Sequence, residues 1–252
     1  MQALIYNLLN KFFMNEIEDV IIKLLRKEDK IVFDIGCFKG NFTSNFIKSD
    51  HKLGYKSAFY MFDPNPRVKD YLKHMLLNNQ IKYFDIALDN TNSKKKFYLN
   101  NFFEPSGSSL SRLILDDRKW VNTRKFFMSI FQPFKKINEF SEIYVITNTL
   151  DYFCDENKIS YIDLLKIDAE GNEKNILLGS EKLLKENRIH SIYVEIAETK
   201  INYENKKDLI VKYLKKYNFE LKISLPIRSF SYFSNLKATD NLFINNSFSL
   251  GS

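Results

Sequence analysis

Four groups of residues in this chain have the types and spacing to hold a small charged ligand and act on it. The first is Asp34-Ile35-Gly36-Cys37-Phe38-Lys39-Gly40, where an apolar run gives way to a helical pattern. Glycines suit a backbone that must take unusual dihedrals or approach a ligand closely. Two of the chain's seven glycines fall in this one turn. N–H groups at a helix start favour a carboxylate, and Asp34 can pair with an ammonium, so the turn suits an amino-acid-like ligand. An ordinary tight strand-to-helix turn is the alternative. The second group is Phe62-Asp63-Pro64-Asn65-Pro66. An acid at the end of a second strand can accept hydrogen bonds from both hydroxyls of a ribose, or it can cap the next helix. The third is Asp85-Ile86-Ala87, where Ala87 leaves room for a flat base and Asp85 can meet its edge. The fourth is Lys166-Ile167-Asp168-Ala169-Glu170-Gly171-Asn172-Glu173. Lys166 and Asp168 are two apart on a predicted strand and share a face. A lysine in so apolar a strand needs a partner or a task; a structural Lys166–Asp168 pair is the simpler reading.

The elements that must position these groups alternate between strand and helix patterns, as in a parallel α/β sheet. Strands are predicted at 31–35, 57–62, 81–86, 94–99, 142–147, 161–167 and 189–196. A closing antiparallel pair is expected at 219–224 and 241–245, joined by a loop over 225–240. Helices are predicted at 15–27, 41–48, 66–78, 173–186 and 206–217. The 161–167 run is the most apolar after the first strand and is expected to be central. Regularity lapses over 100–140, the length of an insertion or lid. In open α/β sheets ligands bind beyond the carboxyl ends of the strands, which is where all four groups fall.

The chain has 252 residues, enough for one large domain, and its 44% hydrophobic and 27% charged content is that of a globular protein. A net charge of +7 favours acidic partners, although the excess is largely lysine in a chain also rich in Asn, Ile, Phe and Tyr. Cys37 and Cys154 are too far apart for a metal or redox motif. Their small number fits a reducing, cytoplasmic setting. No run is apolar enough for a membrane span. Residues 1–30 read as an amphipathic N-terminal helical segment.

The ordered motifs DIGCFKG, FDPNPR, FDIAL, SGSSL, TLDYF, LLKIDAEGNEKNILLG and YVEI resemble the FkbM family of methyltransferases, from about Ile31 to Ile196, with a similar closing DNLFI. The resemblance implies a class I methyltransferase fold, Rossmann-like α/β. Its sheet would be seven-stranded and mostly parallel, with helices on both faces and a reversed last strand. Residues 31–252 would form that domain, with a lid at about 100–140. The resemblance implies S-adenosyl-L-methionine as methyl donor and a hydroxyl as acceptor, often on a sugar of a surface polysaccharide or nucleotide-linked precursor. Natural-product, lipid and nucleic-acid acceptors are the alternatives. By position, Asp34, Gly36, Cys37, Phe38 and Gly40 would border the methionine part, Asp63 and Asn65 the ribose, Asp85 and Ala87 the adenine. Lys166, Asp168 and Glu170 would lie beside the reacting sulfonium.

A hydroxyl is a weak nucleophile until its proton leaves, so a general base or a metal is needed. The three histidines, His51, His74 and His190, fall away from the strand ends. That leaves Asp168 first, then Glu170 or Glu195, as base. The same carboxylates could hold a divalent cation, but no spacing demands one. The basic aromatic stretch around Phe126, Phe127, Phe131 and Phe134 would suit a nucleic-acid strand, yet an N/D-P-P-Y/F motif is missing after the fourth main strand. No nucleic acid is expected as partner. The same aromatic segment offers a face for a second subunit in a homodimer.

Overall fold

The computed structural model describes residues 21, 22, 25, 28–102, 107–131, 138–199, 206–227 and 236–248. Its main sheet has seven strands in the order β3-β2-β1-β7-β8-β10-β9. They are β1 (Ile31–Ile35), β2 (Ala58–Phe62), β3 (Ile81–Phe84), β7 (Ile162–Ile167), β8 (Ile189–Thr199), β9 (Phe219–Pro226) and β10 (Leu236–Asn245). The pairs from β3 through β8 are all parallel, and β10 runs antiparallel to both of its neighbours. The expected mostly parallel seven-stranded sheet with a reversed last strand is therefore present. β7 is buried along its whole length, as its unbroken apolar run requires.

Helices cover both faces. On one face α1 (Asn41–Lys52) and α2 (Val68–Leu72) pack Phe42, Phe46, Val68 and Leu72 against Val32, Met61, Leu164 and Leu242. Ile21, Ile22 and Leu25 join this core; the rest of the predicted N-terminal helix lies outside the described residues. On the other face lie α5 (Leu150–Glu156), α6 (Glu173–Leu178), α7 (Glu181–Lys185) and α8 (Lys206–Lys215). They bury Phe153, Ile176, Leu184 and Leu214 against Phe33, Leu165, Ile192 and Phe243.

Several elements differ from the sequence expectation for identifiable reasons. β3 stops at Phe84, opposite Phe62 at the end of β2; the Asp63 N–H still donates to the Phe84 carbonyl, and Pro64 beyond it brings no N–H to continue the ladder. The chain then leaves this sheet. β4 (Ala87–Leu88), β5 (Ser93–Asn100) and β6 (Phe140–Asn148) form a second, three-stranded sheet. The predicted 173–186 helix is two helices. They part at Gly179, where a Cβ would stand 2.1 Å from the Asp89 carbonyl oxygen. The 66–78 helix ends at Leu72 and is followed by a 3₁₀ turn over Met75–Leu77. Helix α5 was not predicted. Its signal is Thr149, whose hydroxyl accepts the Tyr152 N–H at 3.1 Å as an N-cap. The irregular 100–140 stretch contains α3 (Leu113–Asp116) and the 14-residue α4 (Arg118–Phe131). Trp120, Val121 and Met128 of α4 pack on Ala197 and Ala238, where β8 and β10 run past the rest of the sheet. The loop expected over 225–240 is shorter, since β9 reaches Pro226 and β10 starts at Leu236.

A buried ion pair pins the amino end of the sheet. Lys30 and Asp50 are both about 1% exposed or less, and Nζ lies 3.0 Å from Oδ1. Asp50 Oδ2 accepts the Ser57 N–H, and the Ser57 hydroxyl accepts the Lys30 N–H. Removing one partner strands the other charge away from water. Asp50→Ala is therefore expected to lower the unfolding free energy by about 3–5 kcal/mol in urea titrations. The Lys30→Met/Asp50→Leu double variant should recover most of that loss.

Candidate active site at the carboxyl edge

The strand register places four acids and a glycine in one row along the carboxyl edge of the sheet. Asp34 pairs with Met61 on one side and Lys166 on the other; Lys166 pairs with Tyr193, and Tyr193 with Leu242. One pleat towards the edge, on the same face, stand Asp63, Gly36, Asp168, Glu195 and Asp240. Residues from five strands or their turns thus meet along one line. Asp240 was not among the sequence candidates, because its position follows only from its antiparallel pairing with Glu195.

Lys166 holds the middle of the row. Its ammonium lies 3.0 Å from Asp34 Oδ1 and 3.5 Å from Asp168 Oδ2, and it donates to the Gly36 carbonyl at 3.3 Å. Asp34, fully buried, takes the Thr43 hydroxyl on Oδ2 at 2.8 Å. Its Oδ1 faces Lys166 as a charge contact without an aligned donor. Burial alone would lower the Lys166 pKa; the carboxylates of Asp34 and Asp168 outweigh it and hold the ammonium above the ordinary lysine range. Asp34 is thus committed to the protein's own lysine. The simple Lys166–Asp168 pair is in fact a triad.

The glycines serve the chain's own crowding. Gly36 has φ +71°, and a Cβ there would sit 1.8 Å from the Asp168 carbonyl oxygen. The two turns can approach only because that atom is missing. Gly40 precedes α1 with φ +72°, and a Cβ would meet Met75 and Leu72. Cys37 is buried in the α1-side core and spends its N–H on Phe62 O at 3.2 Å. Phe38 takes a left-handed φ of +46° and donates its N–H to Asp63 Oδ2 at 3.1 Å.

Asp63 joins the first two turns. Its Oδ1 accepts the Asn65 N–H at 3.0 Å, and its carbonyl accepts the Tyr83 hydroxyl at 2.7 Å. Each carboxylate oxygen keeps a further lone pair. Burial pushes this carboxyl up to about 6, against the pull of the two backbone donors. Asn65 is buried too, accepting the Arg67 N–H and donating to the Ser108 hydroxyl at 3.4 Å. Asp85 is exposed, whereas Ala87 is buried at the start of β4.

Gly36, Asp63, Ala87 and Asp168 line one open cleft, together with Ser108, Ser109 and the side chains of Ile86 and Leu88. The serines of the SGSSL motif knit this cleft together. Ser109 donates to Ala169 O at 2.8 Å, and the Asn100 N–H donates to Ser108 at 2.9 Å. The sequence marked them only as the short SGSSL match to the family and gave them no role in the site. On the far side of Asp168 the edge is acidic. Glu170, at φ +52°, receives a backbone donor from Gly107 and feels Arg124 of α4. Burial and the negative charges of Asp168 and Glu173 nevertheless raise its pKa. Glu195 is raised by burial, then by Asp168 and Asp240. Among the described residues, no three His, Cys, Asp or Glu side chains are grouped to hold a metal ion.

Residues 34–221 match the Methyltransferase FkbM domain family. Among curated proteins the chain is similar to the 2-O-methyltransferase NoeI of Sinorhizobium fredii (strain NBRC 101917 / NGR234). The two are 27% identical over 196 residues, 75% of this chain and 72% of that relative. Among solved structures it is similar to methyltransferase FkbM from Methylobacillus flagellatus KT, with a TM-score of 0.49 and 12% identity over 86% of this chain. The chain spans 44% of that protein's length. It is also similar to M. jannaschii TYW2 in complex with AdoMet, with a TM-score of 0.40 and 14% identity, covering 92% of this chain and 76% of that one.

Two outcomes follow from this geometry. Gly36→Ala is expected to destabilise the fold by about 3 kcal/mol or more in urea unfolding, since backbone rather than a flexible side chain must yield. The Asp63 carboxyl binds its proton more tightly in the folded state than unfolded, at about 6 against 3.8. Its contribution to stability is present below the lower value and lost as pH rises through the higher one. Urea unfolding of Asp63→Asn should therefore lose less stability than the wild type between about pH 4 and 6.

Proposed function

Because the chain belongs to the FkbM methyltransferase family, we propose that it transfers a methyl group from S-adenosylmethionine to a hydroxyl oxygen, with a sugar as acceptor class. The observation that carries this reading is the convergence of Gly36, Asp63, Ala87 and Asp168, from four separate turns, on one cleft beyond the strand ends. The donor set fits such a ligand. Asp63 keeps lone pairs for two ribose hydroxyls. Ala87 and Ile86 offer an apolar wall for the base, and exposed Asp85 can meet its outer edge. The Gly36–Gly40 turn approaches the amino-acid part by its backbone, with Asp34 and Lys166 fixing its shape from behind. Lys166 remains charged and acts as a positioning residue for Asp168.

The donor supplies a methyl group on a sulfonium, already activated for displacement. What remains for the protein is to align the acceptor oxygen and to take its proton. A carboxylate serves that end, Asp168 first; Glu170 and Glu195, which burial and neighbouring acids make hold their protons more tightly, stand behind it. An edge lined by the carboxyl groups of Asp168, Glu170, Glu195 and Asp240 exchanges hydrogen bonds with hydroxyls, and its buried cation, Lys166, is already committed to Asp34 and Asp168 rather than to a phosphate. That supports a polyhydroxyl acceptor over a nucleic-acid backbone, and it agrees with the 2-O specificity in the relative's name. Helix α4, packed over the far ends of β8 and β10, is the element we assign as the lid of the acceptor side.

Calorimetry with S-adenosylhomocysteine, the product of the donor, tests the reading. The wild type is expected to bind it, Asp63→Ala to bind at least about tenfold more weakly, and NAD not to bind. Failure of the wild type to bind, or equal binding of NAD, would sink the proposal.

A further inference from the structure

The acceptor side of the edge contains a pair of acids that no sequence motif joins. Glu195 of β8 and Asp240 of β10 are direct antiparallel partners. Side chains directly opposite in such a pair stand about 4.5–5.5 Å apart at Cβ. Both are half-buried and both continue the row beyond Asp168. Two carboxyl groups so placed disfavour each other's ionisation.

On the foundation of the donor assignment above, we infer that Asp240 and Glu195 share a proton in the ligand-free protein and release it when a sulfonium lodges beside Asp168. The pair, with Asp168 turned towards the sulfonium, then stands in place of Asp168 as the carboxylate that receives the acceptor's proton. In the transfer, a lone pair of the acceptor oxygen forms the O–CH₃ bond and the S–CH₃ electron pair returns to sulfur. The hydroxyl proton passes to the pair, which ends as it began. The sulfonium's charge thus arms the base only when a methyl group is present to be moved.

The surroundings are suited to this. Asp168 and Glu170 face the pair from the turn after β7, and Lys166, with Asp34 behind it, supplies the nearest cation. Arg124 of α4 acts on Glu170 rather than on the pair. Tyr193, one pleat back, donates its hydroxyl hydrogen to Asp240. Burial, then Asp168, pushes both carboxyls of the pair upward. Lys166 and the tyrosine offset only part of this.

S-adenosylmethionine and S-adenosylhomocysteine differ in the methyl group and the sulfonium charge, so they form the test. Each is titrated into the full chain by calorimetry at pH 7, in two buffers of different ionisation heat, which yields the protons released per ligand bound. The expected result is roughly half a proton or more released with S-adenosylmethionine and close to none with S-adenosylhomocysteine. Asp240→Asn should abolish that difference while both ligands still bind. Glu195→Gln should do the same and serves if the first variant is poorly folded. Equal proton counts for the two ligands in the wild type would overturn the inference while leaving the donor assignment intact. So would an undiminished difference in both variants. Binding of neither ligand overturns the donor assignment, and this inference with it.

Discussion

A lysine ammonium buried at the end of the central strand is the interaction on which the site depends. Lys166 is 7% exposed, and a charge so far from water is tolerated only with partners. Its partners come from both sides of the β1–β7 seam: Asp34 on the first strand, the Gly36 carbonyl in the first turn, and Asp168 on its own strand. One cation thus fixes the relative position of the two turns that form the centre of the cleft. It also leaves Asp168 partly exposed, beside a positive charge, at the point where the proposed donor and acceptor sides meet.

The second constraint is crowding. The seam closes only because Gly36 has no Cβ to meet the Asp168 carbonyl. At Gly171 a Cβ would meet the Ser111 side chain. Ser108, accepting from the Asn65 amide, and Ser109, donating to the Ala169 carbonyl, then tie this segment to the turns at Asn65 and Ala169. The cleft walls are therefore set by one backbone-to-backbone approach at Gly36 and by short side-chain ties around it, which fix the site on rigid elements.

Charge is distributed unevenly along the edge. The chain carries +7 overall, yet many of its lysines are on exposed surfaces in shallow pairs, such as Lys96 with Glu142 or Lys182 with Asp155. At the carboxyl edge acids gather instead, with Asp168, Glu170, Glu195 and Asp240 beside the buried Lys166, and burial holds protons on part of that set. A total charge describes the far field of a protein and says little about the field inside one groove. The sequence expectation of acidic partners, drawn from that total, has no support at this edge.

The sequence by itself determined the periodic parts. The apolar runs at 31–35 and 161–167 specified buried central strands, and the alternation of strand and helix patterns specified a parallel sheet with the four motif turns at its carboxyl ends. These features are local, since the pleat and the helical turn repeat over two to four residues and leave their mark in neighbouring positions. Tertiary structure alone decided the rest. It sent β4, β5 and β6 to a separate sheet, ended β3 at Phe84 where Pro64 breaks the ladder, and split one predicted helix at Gly179 where Asp89 crowds it. It placed Asp240 beside Glu195 across 45 residues of chain, and gave Asp34 to Lys166 across 132. Register and close approach between distant segments are set by how whole faces pack, and no spacing within either segment carries that information.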